Sequence, residues 1–266
     1  MKNAMLIVVL MWSAALVQPA HAVKLEYKVK PGQTWSQKMI MRGEGTTEAA
    51  GMKFDMTIEM ASTTKTTVKS VAADGSFVQV VDQKVDSTKV VVAGMTIEPP
   101  APEQKPITIT SDKLGKPLKI EGLESLANKG NVDFTKLLGA APAQFSDKDL
   151  SVGDTWEASI AAEELPMKIT GKLLSLKKVG GREVAEVEYV FRVTGETLSK
   201  LITAASGMDL EVSGPGMVGT SISQIDVATG IAGATKGTME MDLTLKIMGQ
   251  ELRQAMRMNI SSEPVK

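Results

Sequence analysis

The chain has 266 residues, no cysteine, one histidine and nearly balanced charge, with 30 basic and 31 acidic side chains. That composition excludes a disulfide scaffold and a cysteine-based zinc module, and it disfavours a nucleic-acid binder, which would need a basic face. The length suits one domain held by its own core.

The first element in chain order is an expected export signal. Lys2 is followed by the apolar run AMLIVVLMWSAALV (4–17) and then by QPAHA, with small residues at Ala20 and Ala22. This layout predicts cleavage after Ala22. The apolar run is shorter than a comfortable membrane span, and no later stretch reaches the roughly 18 apolar residues such a span needs. No cysteine follows, so lipoprotein attachment is unavailable. The expected mature chain, 23–266, is exported to the periplasm or beyond. Removal of the leader also removes His21, leaving neither His nor Cys. Ser-His-Asp and Cys-His catalysis, His or Cys zinc ligation and CxxC redox chemistry are then excluded.

The mature chain reads as strand after strand. Trp35, Gln37, Met39 and Met41 share one face. In MKFDMTIEM (52–60), Met52, Phe54, Met56, Ile58 and Met60 alternate with polar residues. GSFVQVVDQKV (75–85) reads as a turn and a strand, and EPPAPEQKP (98–106) as an extended loop. EGLESLANKG (121–130) and NVDFTKLLGAA (131–141) read as short helices within a helical linker, 123–149. REVAEVEYVFRV (182–193) is a strand, and GETLSKLITAASG (195–207) a further helix. SGPG (213–216) is expected to break the chain. Met239, Met241, Leu243, Leu245 and Ile247 line one strand, and Met256, Met258 and Ile260 the next. Such one-sided alternation predicts antiparallel sheet with one covered and one wet face. The fold class expected is mainly β: a large curved antiparallel sheet or half-barrel with two short helical insertions.

PGQTW (31–35) and VGDTW (152–156) nearly repeat, and they carry the two tryptophans outside the leader. They divide the chain into two expected pseudo-repeat halves, 23–122 and 150–266. Both tryptophans are predicted on the concave side.

In Gly32-Gln33-Thr34-Trp35, Gly153-Asp154-Thr155-Trp156 and the Asp226-x-x-Thr229-Gly230 turn, the chain resembles a group of poorly characterised exported bacterial proteins. In these, G-x-T/S-W opens strands of a large curved sheet. The plan is also similar to the half-barrel of periplasmic lipoprotein carriers and related lipid-binding envelope proteins. The resemblance implies a curved sheet over an apolar hollow. It transfers no activity and no catalytic residue.

Seventeen methionines, three of them in the leader, stand against five phenylalanines. Met-x-Met recurs at 39/41, 239/241 and 256/258. Thioethers suit Cu(I), but residues i and i+2 of any strand share a face, so a Met-filled core writes the same pattern. A Met-lined surface also adapts to ligands of varied shape. A sealed core and an apolar-ligand hollow both remain open.

Enzyme motifs fail. Ser62-x-x-Lys65 and Ser175-x-x-Lys178 lie in strand-like stretches without partner motifs. Asp147, Asp149 and Asp154 could face a calcium ion, but their stretch lacks the Gly and terminal Glu of an EF-hand loop and reads as a polar linker between the halves. A carboxylate pair cannot be picked from 31 acids. Asn259-Ile-Ser261 matches a glycosylation sequon.

The expectation is a non-enzymatic envelope protein with no cofactor and no metal, binding a lipid or other apolar ligand. Trp35, Met39, Met41, Phe54, Met56, Trp156, Met239 and Met241 are its expected contacts. The alternatives are a structural or protein-interaction module, with an envelope protein as partner, and a carboxylate-based hydrolase.

Overall fold

The computed structural model describes residues 22–49, 51–98, 105–122, 127–128, 131–132, 143–162, 165–199, 211–247 and 250–265. The expected leader falls outside these residues except for Ala22.

The described chain is dominated by one curved antiparallel sheet of twelve strands. The first part supplies β1 (Thr34–Ala49), β2 (Met52–Val71), β3 (Phe77–Val92), β4 (Met95–Ile97), β5 (Ile107–Ser111) and β6 (Pro117–Glu121). The short pair β7 (Ala127–Asn128) and β8 (Asn131–Val132) stands apart. The second part supplies β9 (Thr155–Ala162), β10 (Leu165–Val179), β11 (Arg182–Val193), β12 (Glu211–Asp226), β13 (Ala232–Ile247) and β14 (Gln250–Pro264). Along the sheet the order is β6-β5-β3-β2-β1-β14-β13-β12-β11-β10-β9, with β4 on β3. Each part is therefore a meander, and β14 joins β1 from Gln37↔Pro264 to Ala49↔Leu252. The ends β6 and β9 approach within 8 Å between Cα atoms without forming a ladder. The sheet is strongly curved and not closed.

The two pentapeptides stand at equivalent places. Each precedes the first strand of its meander, and each makes the same bonds. Gly32 N–H donates to Val68 O and Val68 N–H to Gln33 O; Gly153 N–H donates to Leu173 O and Leu173 N–H to Asp154 O. The Gln33 and Asp154 side chains accept from the backbone N–H of Lys30 and Ser151, at 3.0 and 2.8 Å. Both glycines have positive φ, 81° and 100°, which a residue with a side chain adopts only at a cost. The recurring phrase is thus a turn that locks onto the neighbouring hairpin and launches a strand.

Alternation places each residue. Directly opposed residues share a face, so Met41, Met60 and Ile260 point inward together. Arg42, Glu59, Glu240 and Arg257 point outward. Outward pairs such as Arg42–Glu59 at 3.4 Å and Arg253–Asp242 at 3.4 Å are exposed, and each is worth at most about 1 kcal/mol. Their effect is to keep that face wet. A bilayer-spanning barrel needs the opposite arrangement, an apolar band outside. Among the described residues no helix is long and apolar enough to cross a membrane.

The structure corrects three local expectations. Where 121–141 is described, Glu121 ends β6 and 127–128 pair with 131–132, Asn128 opposite Asn131, in place of helix. Residues 143–149 of the expected helical linker are not helical. SGPG at 213–216 does not end β12 but shifts its register between Ser213 and Gly216, because a bulge accommodates a proline that cannot donate to the ladder. The expected helix at 195–207 is helical over 195–199, and its remainder lies outside the described residues.

One ion pair carries a pH signature. Lys177 Nζ and Ser175 Oγ each donate to Glu186 Oε2 at 2.6 Å, holding that carboxyl below its usual range, with the lysine contact the larger cause. A depressed carboxyl adds stability above its unfolded value, about 4.3, and loses it as pH falls further. Glu186→Gln should therefore narrow the gap between urea midpoints measured at pH 7 and pH 3.5. An unchanged gap would contradict this.

Candidate functional site

The inward face carries two apolar clusters. The first gathers Leu25, Tyr27, Val68, Phe77, Phe145, Trp156, Leu173, Val187, Tyr189 and Ile225, among others. It is filled by two segments, 22–30 and 143–150, that precede β1 and β9. They meet where Val23 and Leu150 exchange backbone bonds of 2.8 and 2.9 Å. The second cluster contains Met41, Val193, Leu198, Val212, Met217, Met239, Leu243 and Met258, with Ile58, Met60, Met241 and Met256 packed against it.

Trp156 belongs to the first cluster. Its Nε1 donates to Gln144 O at 3.0 Å, and its ring meets Tyr189 edge-on at 6.1 Å. It also covers Gly171 on β10, where a Cβ would stand 2.3 Å from the indole. The Phe191 ring covers Gly219 in the same way, at 2.1 Å. Large rings shield bare backbone at inward glycines, so these strands keep their pairing without a gap.

The register builds the methionine surface. Met60 faces Met41, Met239 faces Met258 and Met241 faces Met256, and Met217 faces Met241. Of the sequence-predicted contacts, all eight lie on the inward face, in three settings. Met41, Trp156 and Met239 are buried, at 4, 8 and 4% exposure. Trp35 is half-buried against the first cluster and Met241 against the second. Met39, Phe54 and Met56 are half-buried. The structure joins the two Met239/Met241 and Met256/Met258 pairs into one patch, and separates that patch from Trp156, which sits with the aromatic residues.

Grooves lined by described residues open elsewhere, chiefly over outward positions. One of these, about 710 Å³, runs past Glu44, Thr57, Glu240 and Arg257, and its lining also includes Met56 and Met241. A second, about 490 Å³, lies over Arg42, Thr238 and Lys236.

The motifs weighed for catalysis are used structurally. Ser62 is fully buried and its Oγ accepts from Gln83 Nε2 at 3.2 Å, while Lys65 lies on the opposite, exposed face. Ser175 donates to Glu186. Asp154 closes the turn before β9, and the backbone carbonyl of Asp147 receives Lys24 Nζ. Among the described residues no group of three His, Cys, Asp or Glu side chains could hold a metal.

No family model matches this chain, and no curated protein matches it. Among solved structures it is similar to an outer membrane channel from Pseudomonas putida F1, at 7% identity over 90% of this chain and 97% of that one, TM-score 0.28. DynF from the dynemicin biosynthesis pathway of Micromonospora chersina follows at 10% identity over 90% and 88%, TM-score 0.21. A DUF1329 family protein from Desulfovibrio piger ATCC 29098 gives 11% identity over 87% and 84%, TM-score 0.14. Likeness at this level carries no functional argument, so function rests on the residues themselves.

Sequence reasoning missed a set of buried polar side chains in the core. Gln79 and Gln83 are 2 and 4% exposed, Ser111 0% and Gln144 5%. The signal was present in FVQVVDQKV, where both glutamines occupy the same phase as Phe77, Val81 and Val85. Tyr27 and Tyr189 join them. Burial pushes both phenols up, with Tyr27 a smaller contributor to the shift at Tyr189, so both stay neutral and able to donate.

Proposed function

We propose that this is an exported, non-enzymatic envelope protein that holds a lipid or other apolar guest against the inward, methionine-lined face of the sheet. The observation that carries the reading is the half-buried state of inward apolar residues. Met39, Phe54, Met56, Ile58, Met60, Met241, Met256 and Ile260 all point away from the charged face, yet none is fully covered. Inward apolar surface left partly uncovered supports a hollow that takes up a guest. Unbranched thioether side chains suit a guest of variable shape. The unpaired meeting of β6 and β9 is a place where the wall can part.

A second reading, a protein-interaction module with a sealed core, is favoured by Met41, Met239 and Met258, which are only 4–6% exposed. Native mass spectrometry of the exported protein, followed by solvent extraction and lipid analysis, separates the two. A stoichiometric apolar adduct is expected. A clean apo mass with no lipid recovered would favour the sealed module.

A further inference from the structure

Four buried polar atoms at the aromatic end have no hydrogen-bond partner among the described residues: Gln79 Oε1, Ser111 Oγ, Gln144 Nε2 and Tyr189 Oη. Their side chains are all at least nine-tenths buried. They come from four separate elements, β3, β5, the segment 143–150 and β11. A chain of aromatic contacts links the elements that carry them. Ser111 lies opposite Phe77, and Gln79 shares the inward face of β3 with Phe77. Phe77 packs on Tyr27 at 5.1 Å and Tyr27 on Phe145 at 5.3 Å. Phe145 follows Gln144, whose carbonyl takes the Trp156 bond, and Trp156 meets Tyr189.

An orphaned polar atom is costly in a dry core, so each of the four calls for a partner that the described residues do not supply. The set is also chemically mixed: an amide oxygen accepts, an amide nitrogen donates, and two hydroxyls do either. No charged side chain is buried among the described residues, so nothing there would neutralise an ion.

We propose that the aromatic end of the hollow is a chamber that holds an uncharged hydrogen-bonding group, either ordered water or the hydroxyl, amide or ester head of the apolar guest. The second of these rests on the function proposed above; the first does not. A carboxylate or phosphate head is excluded from this end, because burying its charge without a counter-ion costs far more than four neutral bonds return. Both tyrosines remain protonated as donors throughout the physiological range.

Thermal unfolding of Tyr189→Phe and Ser111→Ala tests the chamber, each on protein as isolated and after delipidation on a hydrophobic resin. Each change removes one hydroxyl and leaves the surrounding side chains in place. A fall in Tm of about 2–4 °C in both preparations assigns the partner as water. A fall only in protein as isolated assigns it as the head of a bound guest. Tm unchanged or raised in both preparations overturns the chamber, since deleting an unpartnered buried hydroxyl does not destabilise. Displacement of N-phenyl-1-naphthylamine supplies the specificity arm. Monopalmitoylglycerol should compete at least tenfold better than palmitate at pH 8; equal or reversed order overturns the uncharged-head assignment. If the naphthylamine does not bind at all, the ligand reading falls, and Tm on delipidated protein still decides the chamber.

Discussion

Trp156→Ala should be the most damaging single truncation in the described core, lowering stability by about 3–5 kcal/mol. Three losses coincide. The indole is 8% exposed, so its transfer energy is nearly complete. Its Nε1 bond to Gln144 O anchors the 143–150 segment inside the sheet. The residue beneath it is Gly171, so no side chain is available to fill the cavity. Trp35→Ala is expected to cost clearly less, roughly 1–2 kcal/mol, because Trp35 is only half-buried and makes no such bond in the described structure. The two tryptophans open equivalent strands yet do unequal work. Guanidinium unfolding midpoints for both variants decide this; equal shifts would refute the ranking.

The second large effect is expected at Gly115, in the turn between β5 and β6. Its φ is +82°, and a Cβ there would lie 2.1 Å from the Ala143 carbonyl oxygen and 2.8 Å from the Tyr27 ring. The same turn takes the Tyr27 N–H at Lys113 O and the Phe145 N–H at Leu114 O, at 2.7 and 2.9 Å. It therefore clasps both buried segments at once. Gly115→Ala adds left-handed strain of about 1–2 kcal/mol to an overpacking cost of about 1–3 kcal/mol. Gly32→Ala is the matched control, with φ +81° but no heavy atom within 4 Å of the added Cβ, so it should show the strain alone. The difference between their unfolding midpoints measures the clasp. Identical midpoints would mean that the turn yields freely and does not hold the segments.

Much of the candidate site is legible in the sequence because strand alternation is a local property. Met39, Met41, Phe54 and Met56 reveal their common face by spacing alone, and so do Met239 and Met241. Depth is not legible. Met39 and Met41 are two residues apart on one face, yet Met41 is buried and Met39 half-covered, because cover comes from elements distant in sequence. The polar chamber is hidden for a related reason. Gln79 and Gln83 sit in core phase, which looks like an error in an apolar strand until Ser62, Ser111, Gln144 and Tyr189 arrive from elsewhere. The 121–141 stretch misleads because helix-forming composition is a weak prior that strand pairing overrides where the chain is described, with Asn128 opposite Asn131.

By itself, the sequence determined that this protein is an antiparallel β structure, which residues face inward, and that Gly-x-Thr-Trp starts a strand twice. Period-two alternation and positive-φ glycine turns act over a few residues and need no distant partner. Tertiary structure alone decided that β14 pairs with β1, leaving the seam between β6 and β9. It also decided that 22–30 and 143–150 fill one end, and which methionines are sealed and which stay half-open. Those outcomes depend on register and curvature across twelve strands, where long-range pairing sets what each side chain meets.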